Sequence, residues 1–147
     1  MFNAIGISVF ILLISSVCFA QNIEYGKPEE LKGIKKIFID TEANMKSREA
    51  IIKEIEKAKL DIEILDSADG TEVVLLFFAG TDDIVTGNNG NVATVKRKAG
   101  TGFVFIPKGE RQRVLLSFDD VKKSVFEKKP ETNFAKAFIK AYKKANE

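Results

Sequence analysis

The sequence predicts a small mixed α/β domain: a two-layer sandwich in which one mixed sheet of five or six strands carries two helices. Two segments show the apolar periodicity of an amphipathic helix, one near the middle of the chain and one at its C-terminal end. Short alternating or continuous apolar runs lie before and between them. The expected order of elements is β-α-β-β-β-β-β-α, or the same order with one strand fewer.

The N-terminal 20 residues resemble a signal peptide. Residues 4–14 form the apolar run "AIGISVFILLI", and "SSVCFA" places the small residues Cys18 and Ala20 at the two positions that a signal peptidase recognises. We therefore expect cleavage after Ala20 and a periplasmic or secreted protein.

Two other interpretations of this segment stay open. The absence of Lys or Arg before Lys27 is unusual for a signal peptide. A retained membrane anchor is the first alternative, but the run is shorter than the ~20 apolar residues of a spanning helix, and Ser15 and Ser16 interrupt its end. Lipid attachment at Cys18 would make the chain a lipoprotein, although Val17 stands where such signals carry a small residue.

Cleavage would remove the one cysteine, and the chain contains no histidine and no tryptophan. The polar residues 21–33 show no sustained period and are interpreted as an N-terminal extension, followed by a single globular domain over residues 34–147. A net charge of +2 is too balanced to indicate nucleic acid as a partner.

The first elements of the domain are a strand, a helix and a strand. "IKKIFID" predicts the first strand, and the next segment places Ile51, Ile55 and Ala58 on one stripe of a helix that Asn44 or Ser47 can cap. "LDIEILD" then alternates apolar and acidic residues, which predicts a strand with one wet face.

The run from Val73 to Ala79 is apolar without alternation, which predicts a central strand covered on both faces. We expect an antiparallel meander after it. Its strands are "NVATVKRK", "GFVFIP" and "RVLLSF", with the first two joined by a hairpin turn at residues 99–101. Asp119 and Asp120 follow the last strand and are expected in a turn or helix cap.

The final segment predicts a helix that packs on the sheet, with Thr132 or Asn133 as its cap. Its apolar stripe consists of Phe134, Phe138, Ala141, Tyr142 and Ala145. The opposite stripe is basic, with Lys136, Lys140, Lys143 and Lys144. These four lysines either solvate the helix and complement its dipole or bind an anionic lipid or cell-wall polymer.

The stretch "GTDDIVTGNNGN" at residues 80–91 is a candidate ligand loop. It combines carboxylates and amides, and the candidate ligand residues are Asp82, Asp83, Asn88, Asn89 and Asn91. As a calcium loop of the EF-hand type it fails, because Ile84 and Thr86 stand where that loop needs Asp or Asn. The alternative is a long connection between strands, since Gly and Asn are ordinary turn residues.

The residue types that the chain lacks exclude several kinds of enzyme active site. Without histidine or a mature cysteine there is no Ser-His-Asp triad, no thiolate nucleophile and no zinc site of the usual kind. Adjacent aspartates on a strand point to opposite faces, so Asp82 with Asp83 and Asp119 with Asp120 each make a poor acid-base pair. We expect no enzyme activity, no metal and no cofactor, with a minimal carboxylate enzyme as the alternative.

The layout of "LKGIKKIFID", "LDIEILDSADGTEVVLLFFAG", "RVLLSF" and "NFAKAFIKAYKKAN" resembles a group of small exported bacterial envelope proteins. It is similar to the periplasmic domains of the curli secretion channel and of penicillin-binding-protein activator lipoproteins. The resemblance implies a non-catalytic envelope module that acts through contacts with an unknown envelope protein. The alternative function is a polyanion or membrane-surface binder that uses the basic stripe of the C-terminal helix.

Overall fold

A computed structural model describes residues 23–122, 124 and 126–147 of the chain, leaving aside the side chains of residues 84, 86 and 88. Within these residues it confirms the predicted fold, a mixed six-stranded sheet with two helices. The strands are β1 (Ile23–Tyr25), β2 (Lys36–Asp40), β3 (Glu63–Leu65), β4 (Val73–Asn88), β5 (Asn91–Lys108) and β6 (Arg111–Val121). The helices are α1 (Met45–Lys57) and α2 (Pro130–Asn146), and a short 3-10 helix spans Pro28–Leu31.

The strand order across the sheet is β1-β6-β5-β4-β2-β3. β4, β5 and β6 form the predicted antiparallel meander, whereas β1 lies parallel to β6 and β2 lies parallel to both β3 and β4. The apolar strand β4 is central, as the sequence predicts, with β5 on one side and β2 on the other.

Helix α1 begins where its sequence provides a cap. The side chain of Asn44 accepts a hydrogen bond from the backbone N–H of Ser47 at 3.1 Å, which satisfies one of the free amides of the first turn. Ile51 and Ile55 lie on the buried stripe of the helix. The predicted cap and apolar face are therefore both confirmed.

Helix α2 begins four residues earlier than a cap at Asn133 would require. Lys129 is the N-cap residue and makes no side-chain capping bond, and Pro130 occupies the first helical position. The predicted cap at Thr132 or Asn133 is wrong because proline, whose φ is fixed near the helical value, starts the helix before either residue. The predicted apolar stripe is confirmed: its aromatic members, Phe134, Phe138 and Tyr142, are buried.

Both helices pack on the same face of the sheet and share one core with it. The ring of Phe134 stacks on that of Phe77 in β4, with 5.4 Å between ring centroids. This close approach requires glycine in β5, because a Cβ on Gly102 would come within 2.5 Å of the Phe134 ring. Burying a side chain of this size contributes roughly 1.5–3 kcal/mol.

Part of the segment 21–33, interpreted above as an extension, belongs to the fold. Ile23–Tyr25 is an edge strand paired with β6, and Leu31 of the 3-10 helix is fully buried in the core beneath the helices. A three-residue edge strand is too short to show a hydrophobic period in the sequence, so the pattern of this segment does not predict a strand.

The predicted turn at residues 99–101 is wrong. Ala99, Gly100 and Thr101 lie in the middle of β5, which runs unbroken from Asn91 to Lys108. The chain reverses at Asn89-Gly90, where both residues have positive φ, 53° and 83°. Asn-Gly is the dipeptide that a tight two-residue hairpin turn favours, so the turn forms there. The glycines within β5 do not form a turn, because they allow close packing against the strand.

Candidate functional site

A two-stranded ribbon projects from the sheet. β4 pairs with β2 only as far as Leu76, and β6 ends at Val121, opposite Ala99 of β5. Residues 81–98 continue as a β4–β5 hairpin without a third strand among the described residues. At about 3.4 Å per residue, its eight residues per strand extend roughly 27 Å.

The tip of the ribbon exposes apolar side chains. Val85 is 66% exposed and Val92 is 73% exposed, although valine is a residue that normally packs in a sheet. An isolated two-stranded hairpin is marginally stable in water and gains stability from a further strand or a packed face. The ribbon therefore combines exposed apolar side chains with strand edges that no other described strand covers.

The candidate ligand residues lie along this ribbon instead of in a loop. Asp82 and Asp83 are in the first half of its β4 strand, opposite Arg97 and Lys96 of β5. The backbone of Asn88 pairs with that of Asn91, and Asn89 forms the turn. Six residues of extended chain separate Asp83 from Asn89, about 20 Å, so the structure does not bring the five residues together.

The ribbon carries opposite charges on its two strands at its base. Asp82 faces Arg97 across the ladder, and Asp83 faces Lys96. Because successive residues of a strand alternate between faces, the first pair lies on one face of the ribbon and the second pair on the other. The two aspartates are therefore separated by the strand and form no acid-base pair.

The predicted location of Asp119 and Asp120 in a turn or cap is wrong, since β6 continues to Val121. Asp119 accepts a hydrogen bond from Thr101 Oγ1 at 2.7 Å, and Asp120 accepts one from Asn133 Nδ2 at 2.8 Å. These bonds tie the end of β6 to β5 and to the first turn of α2. Both aspartates have structural partners.

A depression of about 380 Å³ lies at the base of the ribbon, lined by Asp82, Asp119 and Asp120 together with Phe78 and Thr101. In the described part of the chain, no group of three or more Asp or Glu side chains is placed to hold a metal ion. The depression is therefore described as a feature of the surface without an assigned ligand.

The basic stripe of α2 is brought together on one surface. Lys136, Lys140, Lys143 and Lys144 line a shallow groove with Ile139 and Glu147. The pKa of Lys136 is lowered, first because Lys128 lies within hydrogen-bonding reach of it. Crowded cations at this end of the stripe produce a positive potential that an anion would relieve.

Sequence reasoning missed the face of the sheet opposite the helices. One residue from each strand forms a row across this face, and all six are apolar: Tyr25, Val114, Phe105, Val74, Phe38 and Leu65. We call the sheet surface centred on this row the second face. Its middle residues Val74, Phe105 and Val114 are each 6% exposed, whereas Tyr25 at its edge is 80% exposed. The non-alternating run of β4 is the signal that could have identified it.

No described helix is long and apolar enough to cross a membrane. Residues 1–22, including the predicted cleavage site after Ala20, lie outside the described residues.

Comparison with known proteins gives only loose similarities. No protein family matches the chain, and no curated protein matches its sequence. A PDZ domain protein from Parabacteroides distasonis aligns with a TM-score of 0.42 at 12% identity, over 72% of this chain but only 30% of that one. A minor lipoprotein from Acinetobacter baumannii aligns with a TM-score of 0.36 at 11% identity, over 76% of this chain and 87% of that one. At this level neither similarity carries an argument about function.

Proposed function

We propose that the protein is a non-catalytic module of the bacterial cell envelope that is exported and acts by binding other proteins through the ribbon. Export rests on the signal-like pattern of residues 4–20. The observation that carries the binding function is the projection of residues 81–98 beyond the sheet with exposed Val85 and Val92 at its tip.

Strand addition is the mode of binding that this geometry favours. Among the described residues no third strand pairs with either edge of the ribbon, and an extended segment of a partner can add to such an edge by backbone hydrogen bonds. The β5 edge bears Lys96 and Lys98 and suits a partner strand with acidic residues. Backbone hydrogen bonds supply the affinity in this mode of binding, so it does not require the carboxylates of Asp82 and Asp83 on the β4 edge.

The experiment that tests this function shortens the ribbon. Replacing residues 84–95 by Asn-Gly keeps the Asp83–Lys96 pair as the last pair of the hairpin and leaves the core strands intact. We expect the shortened protein to fold and to lose a partner that the wild-type protein co-purifies from envelope extracts. The matched control changes Asp82, Asp83, Asp119 and Asp120 to Asn, which removes the carboxylates that an enzyme would need. That variant should keep the partner, whereas loss of the partner only in the control would favour a carboxylate enzyme.

A second candidate function is binding to an anionic surface through α2. It rests on the four lysines that line one groove and on the lowered pKa of Lys136 beside Lys128. The groove also contains Ile139, so it offers an apolar contact beneath a cationic rim, as surface-binding helices do. A lipid headgroup and a wall polymer share the anionic chemistry that such a groove would bind.

A further inference from the structure

A groove of about 440 Å³ lies where the beginnings of both helices meet the base of the ribbon. α1 begins shortly after β2 ends at Asp40, which pairs with Leu76 of β4. α2 begins at Pro130, which packs so closely on β5 that a Cβ on Gly100 would come within 2.9 Å of the proline ring. We call this groove the junction groove, and its lining includes Lys46, Ser47, Lys98, Lys129 and Glu131.

The junction groove carries an excess of positive charge. Lys46 comes from the first turn of α1, Lys129 directly precedes α2, and Lys98 lies in β5 at the base of the ribbon. All three are exposed, and no ion pair joins any of them to a carboxylate of the described residues. Glu131 is the one acidic residue of the lining. Three cations beside a single carboxylate produce a positive potential that attracts an anion.

The first turns of the two helices add backbone donors at the same place. The N–H groups at the beginning of a helix have no acceptor within the helix. In α1 the N–H groups of Met45 and Lys46 make no hydrogen bond with a described acceptor, and the same holds for Glu131 and Thr132 in α2. The helix dipoles place partial positive charge at both of these ends, which reinforces the charge of the lysines.

Ser47 is the residue of the junction groove that points to a bound ligand. It lines the groove but is only 3% exposed. Its backbone N–H donates to Asn44 Oδ1, whereas its hydroxyl makes no hydrogen bond with any described residue. Polar groups buried to this extent are normally hydrogen-bonded. The hydroxyl is therefore a donor available to an anion that enters the groove.

We propose that the junction groove binds the phosphate group of a small phosphate monoester. Such a group carries roughly 1.5 to 2 negative charges and three acceptor oxygens, which match three lysines, a hydroxyl and the helix N–H groups. A carboxylate, with one charge and two oxygens, would use fewer of these donors. The volume of 440 Å³ lies in the range of about 300–1,000 Å³ that small-molecule sites have, so it leaves room for the group that the phosphate esterifies.

The test titrates the wild-type protein, as its host cell processes it, with inorganic phosphate and with glycerol 3-phosphate at constant ionic strength. The backbone amide signals of the protein are followed by NMR. We expect the signals of Lys46, Ser47 and Glu131 to shift and to saturate with either compound. Sodium chloride at the same ionic strength should shift none of the three, because a monovalent halide cannot engage several donors at once.

Variants of the lining test the contribution of each group. Lys46→Gln, Lys98→Gln and Lys129→Gln should each weaken phosphate binding by roughly 1.5-fold to fivefold, the range of one exposed charge pair, and the triple variant should not bind. Lys53→Gln is the matched control, because Lys53 is also exposed on α1 but does not line the groove. Ser47→Ala should weaken binding without lowering the melting temperature, since its hydroxyl has no described partner in the unliganded protein.

Vesicles that contain phosphatidic acid distinguish a lipid headgroup from a soluble phosphate ester. Vesicle binding that the triple variant loses, and that the protein keeps when the four lysines of the α2 stripe are changed to Gln, would identify a lipid headgroup in the junction groove. Vesicle binding that the triple variant keeps, together with its loss of glycerol 3-phosphate binding, would identify a soluble ester. Both results support the phosphate site.

Three results would overturn the proposal. They are the absence of any shift at the groove with either phosphate compound, an equal shift with chloride, and phosphate binding that a folded triple variant retains. The outcome is independent of the proposed function. Replacing residues 84–95 by Asn-Gly keeps Lys98 and the junction groove, so the shortened protein should bind phosphate even when it no longer co-purifies with a partner.

Discussion

The ring of Phe134 in α2 lies directly against Gly102 in β5, so close that a Cβ on the glycine would come within 2.5 Å of it. Phe134 is fully buried and stacked on Phe77, so the ring has no free space into which to move. The close approach of α2 to the sheet therefore depends on glycine at position 102, which has no side chain.

Gly102→Ala should destabilise the protein by about 1–3 kcal/mol, the usual cost of overpacking a filled core. Thermal or urea unfolding measures it. Gly80→Ala is the matched control, because its Cβ would meet no atom within 4 Å and its φ is not positive. That control should stay within about 0.5 kcal/mol of wild type. Equal losses in both variants would show that glycine flexibility, and not the contact with Phe134, explains the effect.

Tyr142 connects α2 to the edge of the sheet. Its hydroxyl donates to the backbone carbonyl of Ile34 at 2.9 Å, and burial raises the pKa of the phenol. Tyr142→Phe should lower the unfolding free energy by about 0.5–1.5 kcal/mol, the net value of one hydrogen bond. Tyr25→Phe removes the same hydroxyl at an 80% exposed site and should change nothing. A neutral result at Tyr142 would mean that its hydroxyl contributes no net stability.

Glu30 makes stability depend on pH. The hydrogen bond from Arg113 Nε, 2.8 Å long, and the bond from the backbone N–H of Lys27 lower the pKa of this carboxyl below its ordinary value of 4.5. A lowered pKa in the folded state contributes stability that is present above the ordinary value and is lost as the pH falls through the folded one.

Wild type should therefore be more stable than Glu30→Gln at neutral pH, and the difference should disappear as the pH falls below 4.5. Melting temperatures at a series of pH values measure it. In an Arg113→Met background, Glu30→Gln should have a much smaller effect, because the carboxyl has lost its hydrogen bond from Arg113. A difference between wild type and Glu30→Gln that is constant with pH would contradict this account.

The second candidate function predicts salt-dependent binding to anionic surfaces. Vesicles that contain anionic lipid should bind the wild-type protein at low salt, and binding should fall steeply as salt rises, since screening acts over about 10 Å at 0.1 M. Changing Lys136, Lys140, Lys143 and Lys144 to Gln should abolish it, with a stability loss of only ~1 kcal/mol.

Phe138→Ala is the control for folding, because this fully buried side chain should cost roughly 3–5 kcal/mol when removed. Repeating the measurement with purified wall polymer in place of vesicles distinguishes a wall polymer from a lipid headgroup as the anionic ligand. Binding that does not respond to salt, or that the quadruple variant retains, would exclude the lysines as the binding surface.

The sequence predicted the parts of the fold that have a strong period. The stripe of Phe134, Phe138 and Tyr142 predicts the C-terminal helix, and the apolar run of β4 predicts the central strand. Local chemistry was harder to interpret. Gly100 and Gly102 resembled turn glycines, but they serve the packing of α2, while the turn itself lies at Asn89-Gly90.

The candidate site was predicted less well, for a physical reason. Residues 80–91 are predicted as a candidate ligand loop, but whether a polar segment forms a loop or a ribbon depends on its partner strand, which lies elsewhere in the sequence. The second face could not be predicted from the sequence for the same reason. Its central row draws one residue from each of six strands, so no single stretch of sequence contains it.

The most direct test of the central claim, that the ribbon binds another protein, is photo-crosslinking in cells that make the protein natively. A photoreactive amino acid at Val92, on the exposed tip of the ribbon, should form a specific crosslink to an envelope protein, whereas the same group at Lys53, exposed on α1, should form none. Asp82→Asn and Asp83→Asn should leave the crosslink in place. Crosslinks only at Lys53, or none beyond background at Val92, would contradict the proposal.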